Sequence, residues 1–352
     1  GPYPYYGANG PQGWIDDFIF DEPLILLAED GGHFDSPDRG VAYRVNGKSW
    51  VNNHAHVLRP TAEVDSGFLC RLLENYDLTP FITGTTRGKL TKAGATEIPV
   101  IVPPLEEQRR IAAILDQAET LRTQRRQALA HLDTLTQSLF LDMFGDPVAN
   151  PKGWEKVPLT SACDSPDDIR CGPFGTQLLR SEFKTEGVPL WGIKNVNARF
   201  ELPTHEFVDE RTATRLSQYS IEPGDIVMTR KGTVGNCAVY PDSFPAGVMH
   251  SDLLRLRISQ RLCHSAFLSH QLHYSRDVAW QMSLISGGAV MPGINVSRLK
   301  SLLVLLPPLA LQQTFATRIQ AIEALKATHR TALAQLDALF ASLQQRAFAG
   351  EL

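Results

Sequence analysis

The chain has 352 residues, with 34 Lys+Arg against 38 Asp+Glu, a formal charge of −4 and 43% hydrophobic residues, which excludes wholesale disorder. No apolar run approaches the roughly 18 residues of a membrane span. Five scattered cysteines without a Cys-x-x-Cys pair exclude a disulfide framework and a structural zinc site and point to a reducing cytoplasm.

From the N-terminus, Gly7-Ala8-Asn9-Gly10-Pro11-Gln12-Gly13-Trp14 reads as a loop mixing glycine, amides and an aromatic ring. Leu24 to Ala28 is an apolar run bounded by turn residues, hence a strand. His54 and His56 alternate on a further strand-like stretch, and residues 68–73 form a short amphipathic helix. Thr85-Thr86-Arg87-Gly88-Lys89 is a second loop of glycine and bases, and residues 100–102 are predicted as a strand leading into Pro103-Pro104. From Leu105 to Phe144 no Gly or Pro intervenes; the diproline suits a helix start and Gly145-Asp146-Pro147 a stop. At 1.5 Å per residue such a helix is a rod of roughly 60 Å.

The second half repeats the first. Val102-Pro103-Pro104-Leu105 returns as Leu306-Pro307-Pro308-Leu309, an offset of 204, and at that offset Gln108 matches Gln312, Arg126 matches Arg330 and Leu132-Asp133 matches Leu336-Asp337. Upstream, Tyr3-Pro4-Tyr5-Tyr6-Gly7 is similar to Val188-Pro189-Leu190-Trp191-Gly192, and the run ending in Gly31 to the run ending in Gly232. His54 is set beside His250 as its counterpart. Residues 267–272 are a helix and residues 302–306 a strand into the second diproline. Loops at Trp191-Gly192-Ile193-Lys194-Asn195, Arg230-Lys231-Gly232-Thr233 and Ser286-Gly287-Gly288 again mix glycine, amides and bases. Arg or Lys can read guanine and Asn or Gln adenine, although each loop alone is equally a surface turn. The second copy opens near Gly153-Trp154, well before its Val188, so the first copy is expected to lack its N-terminal part.

Four segments follow: residues 1–104 and 147–306 as β-rich units with short helices, 105–146 and 307–352 as long helices. On the helices, Leu121, Arg125, Leu132, Leu135 and Leu139 step as a heptad seam, and Leu325, His329, Leu336, Leu339 and Leu343 repeat it. Arg125 and His329 hold the same seam position, either at a wet edge or as register-fixing residues. A rod cannot bury its own seam, so the two are expected to pair antiparallel and to hold the β-rich units at a set separation.

Catalytic signals are weak. Pro166-Asp167 followed by Glu182-Phe183-Lys184 imitates a Mg²⁺ nuclease pattern, leaving a nuclease that uses Asp167, Glu182 and Lys184 as an alternative, beside a coiled-coil protein–protein adaptor. Residues 84–90 are one residue short of a phosphate loop and place Leu90 where a Ser or Thr is needed. No Asn/Asp-Pro-Pro-Tyr/Phe methyltransferase motif occurs.

Tyr5-Tyr6-Gly7-Ala8-Asn9-Gly10, Leu26-Leu27-Ala28-Glu29-Asp30-Gly31 and Trp50-Val51-Asn52-Asn53-His54 resemble the first target-recognition domain of type I restriction–modification specificity subunits. Pro103-Pro104-Leu105-Glu106-Glu107-Gln108-Arg109-Arg110-Ile111 resembles that family's conserved helix start, and Gly172-Pro173-Phe174-Gly175-Thr176 with Gly224-Asp225-Ile226 its second recognition domain. The resemblance implies an α+β fold of two target-recognition domains and two long helices forming an antiparallel coiled coil. Each domain would read half of a split double-stranded DNA target. The helices would dock two methyltransferase subunits, with restriction/translocase subunits in the full complex and no membrane. The chain would catalyse nothing and hold no cofactor or metal, S-adenosylmethionine and ATP belonging to partner subunits. The expected DNA-binding residues are Asn9, Gln12, Asn52, Asn53, Arg87 and Lys89 in the first half, and Lys194, Asn195, Asn197, Arg230, Lys231 and His250 in the second.

By segment the net charge is −5 for 1–105, −2 for 106–146, +2 for 147–306 and +1 for 307–352. Without a basic segment, phosphate attraction must be modest, and the chain alone is expected to bind DNA weakly.

Overall fold

The computed structural model describes residues 1–34, 40–74, 76–84, 87–287 and 293–352. It is a mixed α+β chain of two compact units, residues 1–129 with 328–352 and residues 130–327. Each unit therefore combines one β-rich segment with parts of both long helices.

In unit 1, β1 (Tyr3–Gly7) pairs antiparallel with β2 (Gly10–Ile15) and parallel with β6 (Lys48–Val51), which also holds β3 (Phe20–Asp21). A second sheet sets β4 (Leu24–Ala28) between β5 (Ala42–Val45) and β7 (Ala55–Leu58). All five residues of β4 are buried, as a central strand covered on both faces requires. Helix α1 (Ser66–Glu74), the hairpin β8 (Ile82–Thr83) with β9 (Lys89–Leu90), and α2 (Lys92–Thr96) follow. The long helix α3 (Leu105–Phe144) starts directly after the diproline and ends at Gly145, whose φ of +80° is the left-handed stop a side chain resists.

Unit 2 repeats this plan after β10 (Lys156–Pro158) and β11 (Ile169–Cys171). Strand β12 (Val188–Trp191) leads to α4 (Ile193–Asn197), β13 (Phe207–Val208), α5 (Glu210–Arg215) and β14 (Ser220–Ile221). Then come β15 (Ile226–Thr229), β16 (Cys237–Val239), β17 (Gly247–Met249) and β18 (Leu253–Leu256). Strands β12 and β17 are parallel and β15 and β18 antiparallel, as β1 with β6 and β4 with β7 are in unit 1. Helices α6 (Ser265–Tyr274) and α7 (Arg276–Ile285), hairpin β19 (Ser286–Gly287) with β20 (Gly293–Ile294), α8 (Val296–Lys300), β21 (Leu303–Leu305) and α9 (Leu309–Phe348) complete it.

The repeat extends to a buried side-chain network. Gln108 accepts the Asp65 N–H at 2.8 Å and donates to the carbonyls of Glu63 and Pro103, at 2.9 and 2.8 Å. Gln312 accepts the His264 N–H at 2.8 Å and donates to the carbonyl of Pro307 at 2.7 Å. Each glutamine ties a diproline to the turn ahead of the short helix packed beside it.

Two expectations need correcting. Residues 100–102 form no strand, because among the described residues no neighbouring strand satisfies their backbone. On the long helices, Arg125, Leu132, Leu139, His329, Leu336 and Leu343 are partly buried, but Leu121, Leu135, Leu325 and Leu339 are about half exposed. The buried face passes instead through Arg122, Leu129 and Thr136 and through Lys326, Leu333 and Phe340, one residue later in each heptad. Charges hold these positions inward. In unit 1, Arg122 pairs with Glu119 on its own helix and with Asp337 of α9 at 2.6 Å. In unit 2, Lys326, its side chain 3% exposed, pairs with Glu323 and with Asp133 of α3, both at 2.8 Å. Burial pulls the Lys326 ammonium down, but hydrogen bonds to Asp133 and Glu323 more than offset it and keep it charged. Arg125 donates to Nδ1 of His329 at 3.1 Å, so these repeat equivalents meet each other.

The carboxylates beside Lys326 face water while the ammonium does not, so the two halves of this cluster are unequal. Lys326→Met fills the space and is expected to cost under about 1.5 kcal/mol. Asp133→Asn with Glu323→Gln strands a buried cation and is expected to cost roughly 2 kcal/mol. Urea titrations of the variants check the ordering; equal losses would refute it.

Candidate nucleic-acid interface

In unit 1 the expected readers gather at the C-terminal end of β4. The Glu29 N–H donates to the His54 carbonyl at 2.9 Å, and the Leu90 N–H to the Glu29 carbonyl at 2.7 Å. Gly31, with φ of +66°, then turns the chain. The Asp30 carboxylate holds His54 Nδ1 at 2.7 Å and Arg87 Nη2 at 2.9 Å, and Glu29 holds Lys89 at 3.0 Å. Asn9 donates to the Gly31 carbonyl at 2.9 Å, and the Asn52 side chain accepts the His54 N–H at 2.9 Å. A β-carbon on Gly7 would stand 2.9 Å from Asn52 Nδ2 and 3.2 Å from Gln12 Cγ, so glycine there lets both amides close on the end of β1. Asn53 is exposed in the turn between β6 and β7. Asn9, Gln12, Asn52, Arg87 and Lys89 thus share one rim; Thr85 and Thr86 of the same loop lie outside the described residues. Tyr43 supports the rim by donating its O–H to the Gly7 carbonyl, and burial pushes that phenol up to about 12.

Unit 2 builds the same frame. The Arg230 N–H donates to the Asp252 carbonyl at 2.8 Å, the Ile294 N–H to the Arg230 carbonyl at 3.2 Å, and Gly232 turns with φ of +70°. The His250 N–H donates to the Trp191 carbonyl at 2.9 Å, as the Asn52 N–H does to that of Tyr6, also at 2.9 Å. His250 is therefore the counterpart of Asn52, not of His54. The Asp252 carboxylate sits 3.3 Å from Lys231 and 3.4 Å from His250 Nδ1. The Arg230 guanidinium lies 4.6 Å from the centre of the half-exposed Phe174 ring, a cation–π contact that holds it flat. The Asn197 side chain accepts from Thr233 and Asn236, both at 2.8 Å. Lys194 is exposed and, with His250 and Asp252, lines a cavity of about 520 Å³. Asn195 does not fit the expected role. It is buried, accepts the Gly192 N–H at 3.1 Å and points its amide at the carbonyls of Leu202 and Pro203, so its capacity is used inside the fold. Gly288 of the remaining loop lies outside the described residues.

Superposing the two hydrogen-bond frames pairs Glu29 with Arg230, Asp30 with Lys231 and His54 with Asp252. At the first two pairs an acid in unit 1 stands where unit 2 has a base, and at the third an imidazole stands where unit 2 has an acid. The backbone is repeated and the chemistry on it is not. The acids Asp30 and Asp252 were missed in the sequence because cations and amides were sought; an acid two residues after His250 was the available signal. Both hold cationic side chains in fixed positions and lower the rim's pull on phosphate.

The nuclease pattern disperses. Asp167 faces Lys300 at 3.7 Å, Glu182 pairs with Arg215 and accepts the Leu179 N–H, and Lys184 pairs through its backbone with Phe207. The Leu179 N–H, with Arg215 after it, holds the Glu182 carboxyl below its usual range.

Comparison with known proteins gives one family. That described as type I restriction modification DNA specificity domain matches residues 1–131 and 151–338. A putative type I restriction enzyme specificity subunit of Haemophilus influenzae is 26% identical over 336 residues, 92% of this chain and 81% of that one. The putative MjaX specificity subunit of Methanocaldococcus jannaschii is 20% identical over 280 residues, 76% of this chain and 64% of that one. The fold matches the type I restriction–modification S subunit of M. genitalium with a TM-score of 0.65 at 15% identity, covering 99% of this chain and 89% of that one. A second solved chain, from work on complex assembly and conformational transition of the type I system, matches with a TM-score of 0.57 at 21% identity, over 99% and 92%. With a family match over most of its length, a fold to go with it, and two rims that repeat a frame but exchange its charges, this chain belongs to the type I restriction–modification DNA specificity family, whose members recognise DNA and catalyse nothing themselves.

Proposed function

We propose that residues 1–104 and 147–306 act as separate target-recognition domains, each reading one half of a bipartite double-stranded DNA target through its rim. The observation carrying this reading is the charge exchange at Glu29 and Asp30 against Arg230 and Lys231 on equivalent backbones. Two readers of different half-sites need the same reach and different donors and acceptors. The half-exposed Leu121, Leu135, Leu325 and Leu339, repeated at one offset, suit docking of two methyltransferase subunits on α3 and α9. Restriction/translocase subunits join that complex, S-adenosylmethionine and ATP act on the partner subunits, and the assembly works in the cytoplasm, where the DNA is. Helix length, at 1.5 Å per residue, sets the gap between half-sites.

The test maps methylated sites in cells that co-express the chain with its methyltransferase partner. Arg87→Ala is expected to relax one half-site and Arg230→Ala the other, each by about 1–3 kcal/mol, roughly 5- to 150-fold in discrimination. Relaxation of both halves by either variant, or of neither, refutes the assignment of one rim to one half-site.

A further inference from the structure

The two repeats part company at a loop beside the rim. In unit 1, β1 and β2 are joined by Ala8 and Asn9 alone. In unit 2, residues 192–206 separate β12 from its antiparallel neighbour β13 and hold α4 and the loop after it. Arg199 and Phe200 turn that loop with φ of +50° and +61°, a region that residues other than glycine rarely adopt. Phe200, 2% exposed, stands edge-on to Trp191 at 5.3 Å and to Tyr240 at 5.1 Å, and its N–H donates to the Asn195 carbonyl at 2.8 Å.

Beyond Phe200 the loop is pinned from inside. The buried Asn195 amide donates to the carbonyls of Leu202 and Pro203 at 3.4 and 3.3 Å, and the Thr204 hydroxyl to the Leu190 carbonyl at 2.8 Å. Leu202 is nevertheless 57% exposed. With Ile193 and Pro203 it lines the cavity of about 520 Å³ that Lys194, His250 and Asp252 also line. A scattered exposed leucine is ordinary, but this one is held at the reading rim by a buried amide and a left-handed turn. The Asp252 carboxylate is already engaged by Lys231 at 3.3 Å and His250 at 3.4 Å, so the cavity offers cationic donors beside an apolar wall.

The geometry points to this cavity as the seat of a thymine edge in the half-site that unit 2 reads, with Leu202 packed on the C5-methyl group. Thymine alone shows the major groove an acceptor, O4, beside a methyl group. Lys194 supplies the donor for that acceptor, and Ile193 and Pro203 complete the wall around the methyl. Donors and acceptors alone cannot tell thymine from uracil; an apolar contact can. Unit 1 has only the Ala8-Asn9 turn at this point, so the contact belongs to one half-site. The inference rests on the reading of one rim per half-site.

The experiment titrates the complex of the chain with its methyltransferase partner against its mapped target, each thymine in turn replaced by deoxyuridine. One replacement is expected to weaken binding about three- to fivefold, the worth of one methyl group taken out of water. It should fall in the half-site that Arg230→Ala relaxes. Leu202→Ser should weaken binding of the thymine target by a similar factor and hold the thymine and deoxyuridine targets equally. Leu202 is exposed, so the variant's melting should match the parent's. A half-site without a thymine whose methyl counts overturns the proposal, and so does full discrimination kept by Leu202→Ser. Either result leaves the rim reading standing where Arg230→Ala still relaxes that half-site alone; its failure to do so overturns that reading instead.

Discussion

Gln312→Leu is expected to lower the stability of unit 2 by about 3 kcal/mol, and Gln108→Leu to do the same in unit 1. Both glutamines are almost completely buried. Leucine matches the volume, so the loss comes from the groups left behind. In unit 2 these are the His264 N–H and the Pro307 carbonyl; in unit 1 they are the Asp65 N–H and the carbonyls of Glu63 and Pro103. Each stranded buried group costs about 1–3 kcal/mol. Glutamate separates donation from acceptance. Gln312→Glu keeps the shape and still accepts the His264 N–H, but sets an anion against the Pro307 carbonyl. It should therefore destabilise at least as much as leucine at neutral pH. Denaturant unfolding with a probe in each unit is the measurement, and near-native stability of Gln312→Glu would show that the donated bond contributes little.

These glutamines also mark what was legible. Their identity at the repeat offset, together with the diprolines and forty residues free of Gly and Pro, was enough to bound the first long helix at Leu105 and Phe144 and to place the second within residues 307–352, where it runs from Leu309 to Phe348. Such features are local, and local rules govern them. The seam was misplaced because apolar periodicity favours leucine over charge. Arg122 and Lys326 face inward only because Asp337 and Asp133 come from the other helix, a pairing no local pattern contains. Residues 100–102 have strand composition, but a strand exists by its neighbour, and among the described residues none pairs with them. The rims followed the same logic. Glycine, amide and base composition picked out Asn9, Gln12, Asn52, Arg87 and Lys89, which lie together on one rim, whereas Asn195 has the right chemistry and is turned inward by carbonyls that arrive seven and eight residues later. The exchanged charges could be seen only once the hydrogen-bond frames fixed which residues correspond.

Unit 2 is expected to lose about 2 kcal/mol of stability between pH 7.5 and pH 5 through His270 alone, and about 3 kcal/mol by pH 4. His270 sits on α6 with Nδ1 donating to the Ala266 carbonyl at 2.7 Å and the Phe315 ring edge-on at 5.3 Å. Its Nε2 is buried without a partner. Burial pushes the imidazole down from 6.5 to about 4; the Ala266 bond and Glu323 pull the other way, while Arg199 and His273 push it lower. Between those two values the unfolded chain binds a proton that the folded chain refuses, so stability falls as the pH drops through 6.5 and the loss saturates near 4. His270→Gln keeps a donor for the Ala266 carbonyl and does not titrate. The carboxylates titrate in both proteins, so the test is the difference between parent and variant in urea titrations at pH 7.5, 6, 5 and 4. The parent should lose about 3 kcal/mol more than the variant across the series, most of it above pH 5. Parallel curves would mean that the folded ring accepts the proton, with a water or Glu323 supplying the partner that Nε2 lacks.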